Sequence, residues 1–198
     1  MIQGATLRTR AKALALCTVA ALLGACAPSA LQRAGSQAAL PPVLEAFDAS
    51  GRLSARHGTD ALAANFQWRH AKETDELELV SPLGQTIAVL TGDGARIRLR
   101  TSDGRVLDAR SWTELTEQGL GWPLPVDGLK YWIQGAPRAD TAFTTEAGDD
   151  ARIAVLRQDG WTIVYQSYVQ IGTDGWRPSR LTASYPGIEL RLAIDRWQ

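Results

Sequence analysis

Two histidines, two cysteines and one methionine are all that this chain of 198 residues offers for metal binding, disulfides and proton relay. Both cysteines, Cys17 and Cys26, fall at the N-terminal end, so the rest of the chain has no disulfide framework. His57 and His70 are too few for a zinc site or a histidine-centred triad. An excess of charge is missing too: 21 Lys plus Arg stand against 21 Asp plus Glu. That leaves no broad basic field for gripping phosphates, and no nucleic-acid partner is expected. Gly-x-Ser-x-Gly, Walker, Gly-x-Gly-x-x-Gly and His-Glu-x-x-His motifs are all absent. The expectation is a protein that is not an enzyme and that takes no cofactor or metal. Asp75, Glu76 and Glu78 could pair for glycoside hydrolysis. Successive strand residues alternate faces, however, so the three read as a solvated strand end, Asp149-Asp150 as a turn, and the two histidines as surface bystanders.

What is present begins with Arg8, Arg10 and Lys12 ahead of the apolar run Ala13 to Leu23, the pattern of a secretory signal. The run is too short to span a membrane as a helix. Its end, Leu23-Gly24-Ala25-Cys26, resembles the lipobox of bacterial lipoproteins, in which the cysteine becomes the first mature residue. Cleavage after Ala25 by the ordinary signal peptidase and an uncleaved anchor are the other two fates. The organisation expected is a lipoprotein signal peptide over 1–25, a lipid anchor and flexible tether over 26–42, and one domain over 43–198. The tether rests on composition, Ala, Ser, Gln and Gly followed by Pro41-Pro42, with too little apolar surface to pack.

Beyond the tether the period is two. Leu62, Ala64, Phe66 and Trp68 alternate with polar or small residues, as do Leu77 and Leu79, Ile87 and Val89, and Ile97 and Leu99. Ile153 and Val155, then Trp161, Ile163 and Tyr165, and finally Ile188, Leu190, Leu192 and Ile194 repeat the pattern. Asp93-Gly94, Asp103-Gly104 and Asp159-Gly160 supply the positive-φ residues of tight hairpins. Ser111-Trp112-Thr113-Glu114 has capping-box spacing and opens one helix. Pro125 opens another, carrying Val126, Leu129, Trp132 and Ile133 and closed by Gly135 and Pro137. The fold class is therefore mainly β with a helical lid: an antiparallel sheet curled into an incomplete half-barrel around an apolar interior. Seven tryptophans are expected to face that interior. The candidates for lining it are Phe66, Trp68, Leu77, Leu79, Ile87, Val89, Trp132, Trp161, Ile163 and Tyr165. A cavity and a filled core demand the same inward residues, so alternation leaves both open.

The motifs as an ordered set go further. Gly51-Arg52-Leu53, Phe66-Gln67-Trp68, Ser81-Pro82-Leu83-Gly84, Gly121-Trp122-Pro123-Leu124-Pro125-Val126, Gly160-Trp161-Thr162-Ile163-Val164-Tyr165 and the terminal Leu190 to Trp197 resemble the outer-membrane lipoprotein receptor family, LolB. The resemblance implies a hydrophobic cavity that accepts triacylated lipoproteins from a soluble periplasmic carrier and releases them into outer-membrane lipid. The ten interior candidates would then form the acyl site. It further implies a monomer on the periplasmic face of the outer membrane, lipid-anchored through Cys26, and a helix before the first strand, signalled by Val43, Leu44 and Phe47. In the family the leucine of the Pro82-Leu83-Gly84 turn projects outward and assists membrane insertion, whereas a leucine at a hairpin tip is otherwise usually tucked against a neighbour. Two rival readings are a lipid-anchored assembly scaffold with a filled core and a periplasmic hydrolase, the latter weakened by the missing nucleophile and base.

In the resembling sorting system an aspartate directly after the lipidated cysteine retains lipoproteins in the inner membrane, and Ala27 stands at that position. Ala27→Asp is expected to hold the protein back and Cys26→Ala to release it as a soluble periplasmic form. Membrane fractionation checks both, and an Ala27→Asp protein still wholly in the outer membrane refutes the sorting role.

Overall fold

An unbroken alternation of buried and exposed side chains lays down β1 (Ala46–His57) and β2 (Asp60–Ala71), paired in register as a long antiparallel hairpin. The computed structural model describes residues 38–173 and 175–198, all within one compact unit, Gly35–Gln198. The segment expected to be a signal peptide, Cys26 and Ala27 lie outside the described residues. β3 (Thr74–Val80), β4 (Thr86–Gly92), β5 (Ile97–Thr101) and β6 (Val106–Ala109) continue the meander to one edge of the sheet. After two helices, β7 (Phe143–Ala147), β8 (Ile153–Gln158), β9 (Trp161–Gln170), β10 (Trp176–Tyr185) and β11 (Ile188–Trp197) build inward from the other edge. β11 then pairs with β1, giving one open antiparallel sheet of 11 strands in the order β6-β5-β4-β3-β2-β1-β11-β10-β9-β8-β7. The half-barrel expected from the alternation is therefore borne out. Among the described residues no helix is long and apolar enough to cross a membrane.

The helices begin and end where their capping chemistry dictates. In α1 (Trp112–Leu120) the Glu114 amide donates to Ser111 Oγ at 3.1 Å, and Gly121, at φ 84°, ends the helix with its N–H on the Glu117 carbonyl. The Glu114 carboxylate accepts from the Arg110 amide at 2.9 Å, one residue ahead of the cap rather than at the cap itself. α2 (Val126–Trp132) starts from the Pro125 carbonyl, and the chain leaves through Gly135 at φ 80°. Of the hairpin dipeptides, Asp159-Gly160 has φ of 52° and 80°, both positive as a two-residue turn requires.

Several readings need correction. Over 38–45 there is no helix: Val43 and Leu44 are in irregular chain, and Phe47 is buried inside β1. Ile87 and Val89 are only half-buried, Ile87 packing against the core from its margin, whereas Ala88 and Leu90 are the buried residues of the strand, paired with Leu79 and Leu77. A bulge beside Val80 sets this phase, in a strand apolar on both faces. Val155 likewise yields the inward position to Leu156 because the β7–β8 register slips by one residue at Ala147. Strands β1, β6, β7 and β10 lie outside the segments that alternation identifies, β1 being marked only by Gly51-Arg52-Leu53.

Gly51 marks the tightest place in the sheet. A Cβ built there would lie 2.0 Å from the Ala193 carbonyl oxygen, at the bulge where the β1–β11 register shifts. Gly51→Ala is therefore expected to force the two strands apart and cost about 2–4 kcal/mol. Urea unfolding measures this; a loss below about 0.5 kcal/mol would show that the close approach carries no stability.

Candidate functional site

The inner face of the sheet is a set of cross-strand rows running around the curve. Leu99, Leu90, Leu77, Trp68 and Ala49 form one such row, and Ala88, Leu79, Phe66, Gly51 and Ile194 the next. Farther along, Ala64, Leu53, Leu192, Leu181 and Tyr165 face the same side. Small residues at Gly51, Ala55 and Ala183 make room for larger neighbours on the middle strands, Phe66 opposite Gly51 and Leu190 opposite Ala55 and Ala183. Eight interior candidates, Phe66, Trp68, Leu77, Leu79, Trp132, Trp161, Ile163 and Tyr165, are brought together in one buried apolar cluster. Ala88, Leu90, Leu53 and Leu192 belong with them although none is among the ten lining candidates; for Leu192 the alternation of Ile188, Leu190, Leu192 and Ile194 was already a sufficient signal.

The lid crosses this face. α1 packs on the β5 and β6 side, where Gly119 admits the Leu99 side chain to within 2.6 Å of where a Cβ would stand. α2 packs over β8 and β9, its Trp132 ring 6.0 Å from that of Trp161. Between them Trp122 lies 5.8 Å from the His57 ring at the end of β1. The lid is therefore seated at both flanks and in the middle.

Polar bonds pin α2 with more direction than the apolar contacts give. Gln158, buried, accepts the Trp132 indole N–H at 3.0 Å and the Arg138 amide at 2.9 Å. Its amide nitrogen donates to the Arg138 carbonyl at 2.8 Å and to Thr141 Oγ1 at 2.9 Å. Tyr165 donates its hydroxyl to the Trp132 carbonyl at 2.9 Å, and Tyr168 to the Ile153 carbonyl at 2.6 Å. Burial holds both phenols well above their ordinary range, so they stay neutral donors.

Near the other flank, Asp75 Oδ1 accepts the Trp68 indole N–H at 2.8 Å and meets His70 Nδ1 at 2.8 Å, with the Phe47 ring 5.2 Å from the imidazole. Asp75 and His70 are both buried, which overturns the solvated strand end and the surface histidine for these two residues. The reason is the cross-strand pairing of His70 with Asp75, which lets each satisfy the other out of water. Glu76 and Glu78 are solvent-facing partners of Arg69 and Thr86. Among the described residues no group of His, Cys, Asp and Glu could hold a metal ion.

Leu83 stands alone at 90% exposure, the most exposed large apolar residue described. Gly84, at φ 85°, returns its N–H to the Ser81 carbonyl at 2.9 Å, and Ser81 bonds back to the Gln85 carbonyl at 2.7 Å. Closed in this way, the turn leaves Leu83 nothing to fold against. Trp176 is the second departure, 44% exposed although its fellows point inward or into the lid.

The stability carried by the neutral phenols has a defined pH window. The unfolded chain gives up phenol protons near pH 10 while the native state keeps them, so the stability is complete below about pH 10 and is lost as pH rises further. Tyr165 and Tyr168 are expected to ionise only together with unfolding, which absorbance at the phenolate band and circular dichroism followed in parallel will show. Gln158→Leu, which strands an indole N–H, an amide and three acceptors, is expected to cost about 2–4 kcal/mol in urea unfolding. A loss under about 1 kcal/mol would mean that solvent replaces Gln158 there.

Comparison with known proteins agrees with this architecture. The family model described as outer membrane lipoprotein LolB matches residues 45–197. A Thiobacillus denitrificans protein named outer-membrane lipoprotein LolB is 38% identical over 184 residues, 92% of this chain and 95% of that protein. One of the same name from Nitrosomonas europaea is 33% identical, over 89% of this chain and 87% of its own length. In fold, a LolA superfamily protein of Nitrosomonas europaea superposes with a TM-score of 0.51 at 9% identity, covering 83% of this chain and 89% of that one. The match over residues 45–197 and the relatives at 38% and 33% identity over most of the chain show that this chain belongs to the outer-membrane lipoprotein family LolB.

Proposed function

We propose that this outer-membrane lipoprotein, of a family that serves lipoprotein localisation, accepts triacylated lipoproteins from a LolA-type carrier onto the inner face of its half-barrel and passes them into outer-membrane lipid. The observation that supports this reading most is the continuous apolar inner face, roofed by a lid seated on β5 and β6, on β8 and β9, and at His57 between them. The chemistry of the cargo sets the need. Each methylene exposed to water costs about 0.8 kcal/mol, so three chains of roughly fifteen methylenes would cost on the order of 35 kcal/mol to carry unprotected. Acyl chains inserted between the lid and the sheet would replace Trp132, Leu129 and Ile133 as the partners of the inner rows. That exchange swaps apolar contact for apolar contact, and its main cost is the polar clasp at Gln158 and Tyr165. Transfer then runs down a gradient of apolar burial from carrier to receptor to bilayer without covalent chemistry or nucleotide. Leu83 would enter the bilayer as cargo leaves; burying one leucine is worth about 2 kcal/mol, enough to orient the domain and too little to anchor it.

A soluble form lacking Cys26 is expected to bind an apolar fluorescent probe saturably, with a negative heat-capacity change, and to release it to lipoprotein. Absence of saturable binding would favour the scaffold with a filled core. Leu83→Glu is expected to leave the melting temperature and the acceptance of cargo nearly unchanged while slowing insertion into lipid, with the two transfer steps measured separately. Loss of acceptance or a large fall in melting temperature would place Leu83 at the carrier interface or in the core.

A further inference from the structure

The outer face of the sheet, opposite the lid, distributes its charge unevenly. One hollow on the middle strands is lined by Asp48, Glu76, Glu78, Arg69 and Arg196, three carboxylates against two guanidiniums. Arg69 is held there between Asp48 at 3.7 Å and Glu76 at 3.1 Å. Farther along the same strands lies an open groove of about 840 Å³ in which the balance is reversed. Arg52, Arg180 and Arg191 line it, and Glu189 is the carboxylate among its lining residues.

Strand register builds this groove. Arg52 and Arg180 are the partners of Ala193 on either side, so their Cα atoms stand about 10 Å apart. Arg191 comes two residues before Ala193 on β11, on the same face, between Ser54 and Thr182. Ala193, Ser54 and its partner Ala63 have short side chains, which leaves a hollow among the long arginines. The ion pairs already present are readily exchanged. Arg52 meets Asp195 at 3.2 Å and Arg191 meets Glu189 at 2.9 Å, with both arginine side chains 64% exposed, where such pairs contribute little. Arg180 has no acidic partner among the described residues. Guanidinium forks set around a floor of small side chains suit phosphate oxygens, which each fork can take two at a time.

The rim identifies the source of the phosphate. Pro82 lines the groove on the β2 side, and the next residue in the chain is Leu83, 90% exposed. Val164, 39% exposed, lines it on the β9 side. A cationic floor with apolar edges matches a phosphodiester that carries apolar chains better than it matches a free ion. The family belongs to the outer membrane, whose lipid supplies such headgroups at close range.

We propose that the groove between Arg52, Arg180 and Arg191 docks the domain on anionic phospholipid headgroups of the outer membrane. With the outer face held in this way, the lid on the opposite face is turned from the bilayer toward a soluble carrier, and the Leu83 turn lies beside the headgroups. The site goes beyond cargo transfer and can fail without it.

The test uses the soluble Cys26→Ala protein and its flotation with vesicles of phosphatidylethanolamine alone or mixed with phosphatidylglycerol. Phosphatidylglycerol is expected to raise binding about tenfold, an excess that high salt removes. Arg180→Glu is expected to abolish the excess and Arg180→Gln to reduce it about threefold, with the urea midpoint unmoved because the side chain is exposed. Arg100→Glu makes the same charge change at an exposed position of β5 outside the groove, and is expected to keep binding within about twofold. Equal losses with Arg180→Glu and Arg100→Glu, or no preference for phosphatidylglycerol, overturn the docking. Inorganic phosphate is expected not to raise the melting temperature. A rise that Arg180→Glu abolishes, without vesicle binding, makes the groove a soluble-anion site and overturns the docking too. So does an Arg180→Glu protein that binds vesicles normally yet no longer takes cargo from the carrier, which makes the groove a protein contact. Vesicle binding that depends on Arg180 in a protein that transfers no cargo removes the transfer reading and leaves this proposal standing.

Discussion

The pairing of β1 with β11 is the constraint on which the rest depends. It joins the two ends of the domain in the middle of the sheet and so sends β6 and β7, consecutive in the chain apart from the helices, to opposite edges. The segment linking them must therefore cross the concave side, and that segment is α1 and α2. A lid is thus a consequence of strand order rather than an ornament on it. Gly51 makes the joint possible by letting the Ala193 carbonyl come where no side chain could stand.

With that joint in place, the buried rows and the polar clasp have different duties. The rows supply undirected apolar contact that another apolar partner could replace. Gln158, Tyr165 and the Trp132 indole supply direction, since each bond has one geometry and an empty partner is costly in a dry interior. A closed lid that is apolar in bulk and polar at a few pins has one well-defined seat, and leaving it requires those pins to be released together.

Much of the sheet was legible because one solvated face and one dry face print a period of two on the sequence, and β2, β9 and β11 show it plainly. Legibility failed where local geometry breaks the period. In β4 both faces are apolar and a bulge beside Val80 decides between them; in β8 a register slip at Ala147 turns Leu156 inward. β10 is interrupted by Pro178 and by shifts around Arg180, so its alternation is scrambled. Charge misled in its own way: Asp75 and His70 look like surface residues until the hairpin sets them opposite one another and lets both be buried. Leu83 was expected to project only through the family resemblance, since the Pro82-Leu83-Gly84 turn left a tucked leucine open; its 90% exposure decides between the two. The exposure of Trp176 was not legible, since nothing local tells an exposed tryptophan from a buried one.

An open sheet has two unpaired borders, and in this molecule they are small. β6 has four residues and β7 five, the first crossed by an Arg98–Asp108 pair at 2.7 Å and the second by Arg157–Glu146 at 2.5 Å. A second molecule offering its own border strand would find little backbone to bond and fixed charges to strip of water. Both borders are therefore poor templates for the border of another half-barrel, and the sheet can stay open without offering a long bare edge.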